Sequence, residues 1–133
     1  MITKEWIGGF ISGEGCFTFV GNAPRFCITL SHKDKYLLKK IQELFNVGKV
    51  SIAKKDFSYI YQVSKLSDCL IIVKFLEGYI EGDKLIDFEN WKLGIKYLSL
   101  LPKEEKLKNK NLFRKLQPRI NTNRILYTKF SDL

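Results

Sequence analysis

Glu14 is the residue whose type and surroundings best fit catalytic chemistry. It lies in a glycine-rich stretch, Gly8-Gly9-Phe10-Ile11-Ser12-Gly13-Glu14-Gly15. Each glycine inside a helix costs about 1 kcal/mol relative to alanine, and a helix carboxyl end disfavours an anion. Such costs are usually offset by function, although a simple helix stop and turn is the alternative. A carboxylate with no zinc-type cluster around it is suited to a hard divalent cation.

The helix that carries Glu14 is predicted to begin after Thr3 and to end near Ser12 or Gly13. Trp6 and Phe10 form one apolar row at a spacing of four residues, and Ile7 and Ile11 form another. Gly9 and Gly13 form a third row, with Gly8 and Ser12 beside it. Small residues in such a row permit the close approach of a second backbone. We therefore expect Gly8, Gly9, Ser12 and Gly13 to form a contact surface.

The charge of the chain indicates a polyanionic partner. The 133 residues contain 23 Lys and Arg against 14 Asp and Glu, which gives a formal net charge of +9. Nucleic acid is favoured over a membrane surface, and a generally basic composition is the alternative. The length predicts a single domain over 1-133, with a core at about 3-100 and a basic helical tail at about 103-133.

Two predicted hairpins carry the polar surface that would meet this partner. Residues 16-20 and 25-31 alternate around a Gly21-Asn22 turn, and residues 49-53 and 58-65 form the second pair. Asp34 is predicted to cap a helix between the hairpins. The core face of the second hairpin is assigned Val50, Ile52, Tyr59, Tyr61 and Val63. The residues predicted to contact DNA are Thr18, Val20, Asn22, Arg25, Cys27, Thr29, Lys49, Ser51, Ser58, Ile60 and Gln62.

The rest of the chain is predicted to be helical. One helix runs from Ser67 to about Leu76 and a longer one from Lys84 to Leu101, where Phe88, Trp91, Ile95 and Leu98 share a face. Basic helices at 103-116 and 121-130 are expected to follow. An antiparallel sheet with helices on one face leaves its other face open, so the fold class is α+β.

The cysteines and the apolar runs exclude several other classes. Cys16, Cys27 and Cys69 are odd in number and widely spaced, which predicts reduced thiols in a reducing compartment. His32 is the only histidine, so no zinc-ligand spacing exists. The most apolar run, 69-73, is too short for a membrane span or a signal peptide, and we expect no membrane partner.

The segment Ile7 to Gly15 resembles the nine-residue signature of the LAGLIDADG homing endonucleases. The similarity continues through 28-41, 47-50 and 61-64 and covers roughly residues 5 to 90. It implies an αββαββα fold with an antiparallel DNA-binding sheet, helices on one face and further C-terminal helices.

The resemblance also implies roles for individual residues. Glu14 matches the acidic position that binds the catalytic metal, and the Gly13 carbonyl adds a ligand. Ser12 departs from the usual aspartate, which mainly shapes the helix end. His32 aligns with a position that often orders water, although an ordinary polar role is equally open. Lys84 aligns, within an offset of two residues, with a basic residue near the scissile phosphate.

The activity implied by the resemblance is site-specific cleavage of double-stranded DNA by a homodimer. One motif provides one acid, so two copies packed through Gly9 and Gly13 would cut both strands of a long, near-palindromic site. The implied cofactor is Mg²⁺, with Mn²⁺ as a substitute and Ca²⁺ as an ion that binds without supporting cleavage. The alternatives are an intron-RNA-binding maturase and an inactive DNA-binding regulator on the same fold. The expected location is an organelle, mitochondrion or chloroplast, or the prokaryotic cytoplasm.

Overall fold

The computed structural model describes residues 1-31, 34-53, 57-102 and 124-129. The element order is α1 (Lys4–Glu14), β1 (Gly15–Val20), β2 (Ala23–Leu30), α2 (Lys35–Phe45), β3 (Lys49–Ile52), β4 (Tyr59–Val63), α3 (Leu66–Leu76) and α4 (Asp83–Leu100). This order confirms the predicted αββαββα arrangement, with α4 following it. The predicted hairpin tip at 54-56 and the predicted helix at 103-116 lie outside the described residues.

The four strands form one antiparallel sheet in the order β1-β2-β4-β3. The register places Phe17 opposite Phe26 and Ile28 opposite Tyr61, and all four side chains are fully buried. The intervening positions, such as Arg25 and Cys27, remain half-exposed. The alternation read from the sequence therefore correctly separates the core face of the sheet from its open face.

Ile52 departs from the predicted burial pattern. Its pairing with Tyr59 places it in the same alternation as the core residue Val50. It is nevertheless 55% exposed, because it ends the edge strand and the core cluster does not reach it. The prediction that Ile52 joins the core is wrong.

Helix α4 fixes β1 in place. The Phe17 ring lies 5.2 Å from Phe88 and 5.1 Å from Trp91. The indole Nε1 of Trp91 donates a hydrogen bond of 2.9 Å to the Thr18 carbonyl. Phe88, Trp91, Ile95 and Leu98 are all buried, as their spacing predicts. Since β1 begins where α1 ends, this packing also holds the carboxyl end of α1.

Within the described residues, no helix has the length and apolarity to cross a bilayer.

Two buried polar residues of α4 bind a later segment of the chain. Asp87 accepts hydrogen bonds from Arg124 at Nε (3.0 Å) and at a terminal nitrogen (3.2 Å). Asn90 donates to the Ile125 carbonyl and accepts from the Tyr127 amide. Residues 124-129 are irregular rather than helical, so the prediction of a helix over 121-130 is wrong in its described part. In a helix, the Ile125 carbonyl and the Tyr127 amide could form backbone hydrogen bonds within the helix. Here both are bound by the side-chain amide of Asn90.

Gly8 is required by a contact inside the chain. A Cβ at this position would overlap the carbonyl oxygen of Tyr79, in the connection between α3 and α4. Ser12, one turn later, accepts a hydrogen bond of 3.0 Å from the Glu81 amide and donates one of 2.7 Å to the Gly8 carbonyl. Gly8 and Ser12 therefore dock α1 on its own chain, and their assignment to a contact between two copies stays a prediction.

We predict that Gly8→Ala lowers the free energy of unfolding by about 1–3 kcal/mol, the usual cost of overpacking a filled site. The effect should not depend on protein concentration, because the contact is within one chain. The matched control is Gly9→Ala, since a Cβ at Gly9 meets no atom of residues 1-31, 34-53, 57-102 or 124-129 within 4 Å. In dilute monomer this control should gain about 1 kcal/mol of helix propensity. Thermal melts that show equal gains for both variants would contradict the Gly8 contact.

Candidate nucleic-acid interface and metal site

Glu14 lies at the point where helix and sheet meet. It is the last residue of α1, and Gly15 begins β1 directly after it. The helix is fixed at its start by Thr3, whose hydroxyl accepts the Trp6 amide at 3.1 Å, and along its length by the fully buried Ile7 and Ile11. Glu14 itself is exposed. The fold therefore presents this carboxylate to the outside from a rigidly held backbone.

Lys84 lies beside this carboxylate-bearing corner. Its Nζ donates a hydrogen bond of 2.6 Å to the Gly15 carbonyl, one residue after Glu14. The structure thus brings together two of the three residues predicted to act in catalysis, although 69 residues of sequence separate the bonded pair. The third, His32, lies outside the described residues.

The open face of the sheet adjoins the same corner. Its longest row crosses all four strands, since Cys16 pairs with Cys27, Cys27 with Gln62, and Gln62 with Lys49. A second row joins Thr29, Ile60 and Ser51. Arg25, opposite Thr18, and Val20 complete the strand residues assigned to DNA. Asn22 lies in the first turn and Ser58 directly before β4. Strand pairing therefore aligns the predicted side chains of all four strands in rows.

Two residues of this face are more buried than the alternation of the strands predicts. Thr18 is only 7% exposed, so it supports the face and adds little open surface to it. Arg25 keeps its Nε buried, and among the described residues this nitrogen has no hydrogen-bond partner. An unpaired buried donor is costly. A bound acceptor on the open face would remove that cost.

The third and fourth strands border a groove of about 540 Å³. Its walls include Lys49, Ser51 and Gln62 of the open face, together with Ser64 and Lys65 between β4 and α3 and Asp68 in the first turn of α3. Ser64 and Lys65 continue the polar surface beyond the end of β4, and the prediction omitted them. The signal was available, because Gln62 and Ser64 are two residues apart and share a face.

One side of α1 is also open. A Cβ at Gly9 or Gly13 would meet no atom within 4 Å in the part of the chain that the structure describes. Beside Gly9, the Trp6 and Phe10 rings stack with centroids 5.2 Å apart, and Trp6 is 45% exposed. An apolar surface with backbone at its centre thus leads along the helix towards Glu14.

The donor atoms at this corner fit a hard cation. A side-chain carboxylate (Glu14) and a backbone carbonyl at a helix end (Gly13) are both oxygen ligands, of the kind that Mg²⁺ binds. In the described parts of the chain, no three His, Cys, Asp or Glu residues cluster closely enough to hold a metal by themselves. Mg²⁺ commonly takes one or two carboxylates and completes its shell with water and substrate phosphate. The chain therefore provides a partial site.

Sequence comparisons identify relatives of the chain. The sequence profile described as LAGLIDADG endonuclease matches residues 7–95. The chain is 35% identical over 94 residues to "Probable intron-encoded endonuclease 2" of Neurospora crassa. This alignment covers 66% of this chain and 21% of that protein. It is 31% identical over 91 residues to "Probable intron-encoded endonuclease aI3" of Dictyostelium citrinum, covering 67% of this chain and 37% of that protein. The chain thus matches well under half the length of these relatives.

Solved structures share the fold over almost the whole chain. The homing endonuclease I-TnaI aligns with a TM-score of 0.76 at 23% identity, covering 92% of this chain and 90% of that one. The LAGLIDADG homing endonuclease I-LtrWI, solved bound to its target DNA, aligns with a TM-score of 0.81 at 28% identity, covering 93% of this chain and 46% of that one. The LAGLIDADG meganuclease I-AabMI, solved bound to uncleaved DNA, aligns with a TM-score of 0.80 at 26% identity, covering 98% of this chain and 52% of that one.

Proposed function

The chain belongs to the LAGLIDADG endonuclease family, and from this premise we propose that it is a divalent-metal-dependent, site-specific endonuclease of double-stranded DNA. The observation that carries the proposal is the position of Glu14. Its exposed carboxylate lies where the open glycine row of α1 meets the open polar face of the sheet. A dimer contact and a DNA surface at this corner would both converge on the acid. The direct test is Mg²⁺-dependent double-strand cleavage.

DNA binding by the open face is supported by shape and charge. Four antiparallel strands with helices on one side present an open polar surface, and side chains such as Arg25 and Gln62 carry the donors and acceptors that read base edges in the major groove. The Nε of Arg25, without a partner among the described residues, would gain an acceptor from a base or a phosphate. I-LtrWI and I-AabMI, which share this fold, were solved with DNA.

The affinity for duplex DNA should fall steeply with salt. Lysines of the open face and the net charge of +9 imply several phosphate contacts, each of which releases condensed counterions. For six or more contacts the affinity falls by on the order of 10³ between about 50 and 200 mM salt. Fluorescence anisotropy on a labelled duplex, without Mg²⁺ so that cleavage does not interfere, measures the slope. An affinity that is flat over this range would contradict DNA binding.

Mg²⁺ is the cofactor we assign to the corner, with Glu14 and the Gly13 carbonyl as the chain's own ligands. When bound, such an ion activates water and stabilises the charge that develops on the phosphate. Lys84, held on Gly15 at 2.6 Å, adds a positive charge near the same phosphate. Glu14 would thus hold the metal, and Lys84 would bind the substrate phosphate beside it at the α1–β1 junction.

Two copies of the chain would complete the site. Gly9 and Gly13 lower the stability of α1, and no neighbour among the described residues requires them to be glycine. A second α1 packed on this row would explain both residues and would bury the exposed face of Trp6. Its two-fold axis would bring the two Glu14 carboxylates together, one for each DNA strand. The chain covers 46% of DNA-bound I-LtrWI, so two copies would match that protein in length.

Gly9→Leu should therefore dissociate the dimer. A leucine side chain at a backbone contact costs about 1–3 kcal/mol, and the two-fold axis makes the clash occur twice. Analytical ultracentrifugation at equal concentration should show a dimeric wild type and a largely monomeric variant. Lys39→Leu, on the exposed side of α2, controls for a surface leucine and should remain dimeric. A monomeric wild type, or a Gly9→Leu dimer that melts higher, would contradict this interface.

The free cysteines and the proposed DNA substrate also bear on the compartment in which the protein works. Free cysteines and a DNA substrate would suit a reducing compartment inside a cell, and the relatives named as intron-encoded, from Neurospora crassa and Dictyostelium citrinum, support an organelle. We accordingly propose that the chain is itself intron-encoded and acts in an organelle or in prokaryotic cytoplasm.

A further inference from the structure

We propose that Cys16 and Cys27 are a reversible disulfide-forming pair on the open face of the sheet, oxidised by a small-molecule disulfide such as oxidised glutathione. The two residues are direct partners in the antiparallel β1–β2 ladder. Both are half-exposed thiols, and neither is part of a disulfide. The proposal concerns the chain itself and does not depend on endonuclease activity.

The spacing of the pair suits a disulfide. Directly opposed residues of an antiparallel ladder have Cα atoms about 4.5–5.5 Å apart and side chains on the same face. Disulfides form at Cα separations of roughly 4.4–6.8 Å. Cys16 and Cys27 occupy directly paired positions of this ladder, so their side chains project from the same face. Because α4 and the ladder hold both strands, little backbone movement is needed to join the two sulfurs.

Cys69 serves as an internal reference. It is fully buried, and its sulfur faces the Val63 carbonyl at 3.6 Å and the Pro24 carbonyl at 3.9 Å. Burial raises the pKa of Cys69 to about 12, so its thiol stays protonated and inert in the folded chain. Contact with the Cys16 side chain, followed by burial, also raises the pKa of Cys27. Oxidation of the pair is therefore expected to be slow relative to an exposed thiol. It should still be selective against Cys69, because Cys16 and Cys27 are half-exposed and Cys69 is fully buried.

The reaction balances by thiol–disulfide exchange. One protein thiolate attacks the small disulfide, which forms a mixed disulfide and releases one small thiol after protonation. The second protein thiol then attacks the protein sulfur of the mixed disulfide and releases the second small thiol. The protein loses two electrons and two hydrogens, and the small disulfide is reduced to two thiols. A thiol reductant reverses both steps.

The test is mass spectrometry of the folded full chain after incubation with oxidised glutathione. The wild type should lose about 2 Da, peptide mapping should link Cys16 to Cys27, and one thiol should remain titratable after unfolding. Cys69→Ser should behave as the wild type apart from that thiol. Cys16→Ser should stop at a glutathione adduct on Cys27. A wild type that keeps three thiols, pairs Cys69, or forms only intermolecular disulfides would overturn the proposal.

Thermal stability gives a second readout. A cross-link between strands restricts the unfolded chain, so the oxidised wild type should melt higher than the reduced protein. Cys16→Ser and Cys27→Ser should show no such shift under the same conditions. If the linked species melts no higher than the reduced protein, the disulfide distorts the ladder and the fit proposed here is wrong.

A further arm rests on the proposed DNA surface. Because the pair lies on the open face, a duplex in excess at low salt should slow oxidation of the wild type several-fold. Binding is monitored in parallel by mobility shift. A protein that binds the duplex and is oxidised at an undiminished rate would overturn the placement of DNA on this face, and the disulfide itself would stand. A protein that fails to bind the duplex would instead contradict the proposed function.

Discussion

Glu14→Gln should abolish DNA cleavage and leave DNA binding intact. Glutamine keeps the shape of the side chain and removes the anionic oxygen that would hold Mg²⁺. Loss of one group that stabilises transition-state charge costs roughly 10²–10³ in rate, and a metal ligand is expected to reach at least that. Glu14 is exposed at the end of α1, so the substitution leaves the core unchanged. Single-turnover cleavage with Mg²⁺, with binding measured by anisotropy, separates the two effects.

The matched control for this variant is Glu5→Gln. It makes the same chemical change in the same helix, about 13 Å away along the axis, in the first turn of α1. Cleavage by the control should stay within a few-fold of the wild type. A Glu14→Gln protein that cuts at the wild-type rate would remove Glu14 from the metal site, whatever the control does.

Arg124→Met should destabilise the fold by about 3 kcal/mol. Asp87 is 0% exposed, and its carboxylate faces the Arg124 guanidinium at 3.0 Å. These hydrogen bonds raise the pKa of Arg124. Removing one partner of a buried pair leaves a desolvated charge and typically costs 3–5 kcal/mol. The lower end is expected because Arg124 is itself 28% exposed. Urea unfolding measures the change.

Lys92→Met is the control for this pair. Lys92 also lies in α4 and bonds Glu77 at 2.8 Å and Glu89 at 2.9 Å, but both acceptors are partly exposed. Surface pairs of this kind contribute about 0–1 kcal/mol. The double variant Arg124→Met with Asp87→Leu should recover part of the loss, because it leaves no buried charge. Equal losses for Arg124→Met and Lys92→Met would show that residues 124-129 are not anchored by Asp87.

The local features of the fold could be predicted because local chemistry and tertiary packing agree there. Thr3 caps α1 as predicted, the Gly21-Asn22 turn joins β1 to β2, and alternation through Phe17, Phe26 and Tyr61 identifies the core face. Period and turn signals act over a few residues, so a sequence expresses them directly. Ile52 shows the limit, since its face was read correctly but its distance from the core was not.

Long-range contacts decided what could not be predicted. Gly8 and Gly9 are adjacent and chemically identical, yet Gly8 packs on Tyr79 and Gly9 has no described neighbour within 4 Å of where its Cβ would lie. Only the path of the chain 70 residues later distinguishes them. Asp87 and Asn90 likewise resemble ordinary polar positions of a helix until residues 124-129 dock on them.

The candidate site divides in the same way. Glu14 stood out because it broke local rules, with glycines before it and a carboxylate at the wrong end of a helix. Lys84 needed the resemblance to be singled out, because its link to Gly15 spans 69 residues. The four-strand row from Cys16 to Lys49 depends on strand order and register, which the two hairpins do not specify by themselves.

Cleavage of genomic DNA tests the central claim most directly. Purified wild-type protein is incubated with genomic DNA of its source organism and Mg²⁺, and all new double-strand ends are sequenced. The account predicts ends that recur at one or a few long, near-palindromic sites, that vanish with a chelator and that are absent with Glu14→Gln. If the protein binds DNA yet yields no recurrent Mg²⁺-dependent ends, the chain is not a site-specific endonuclease.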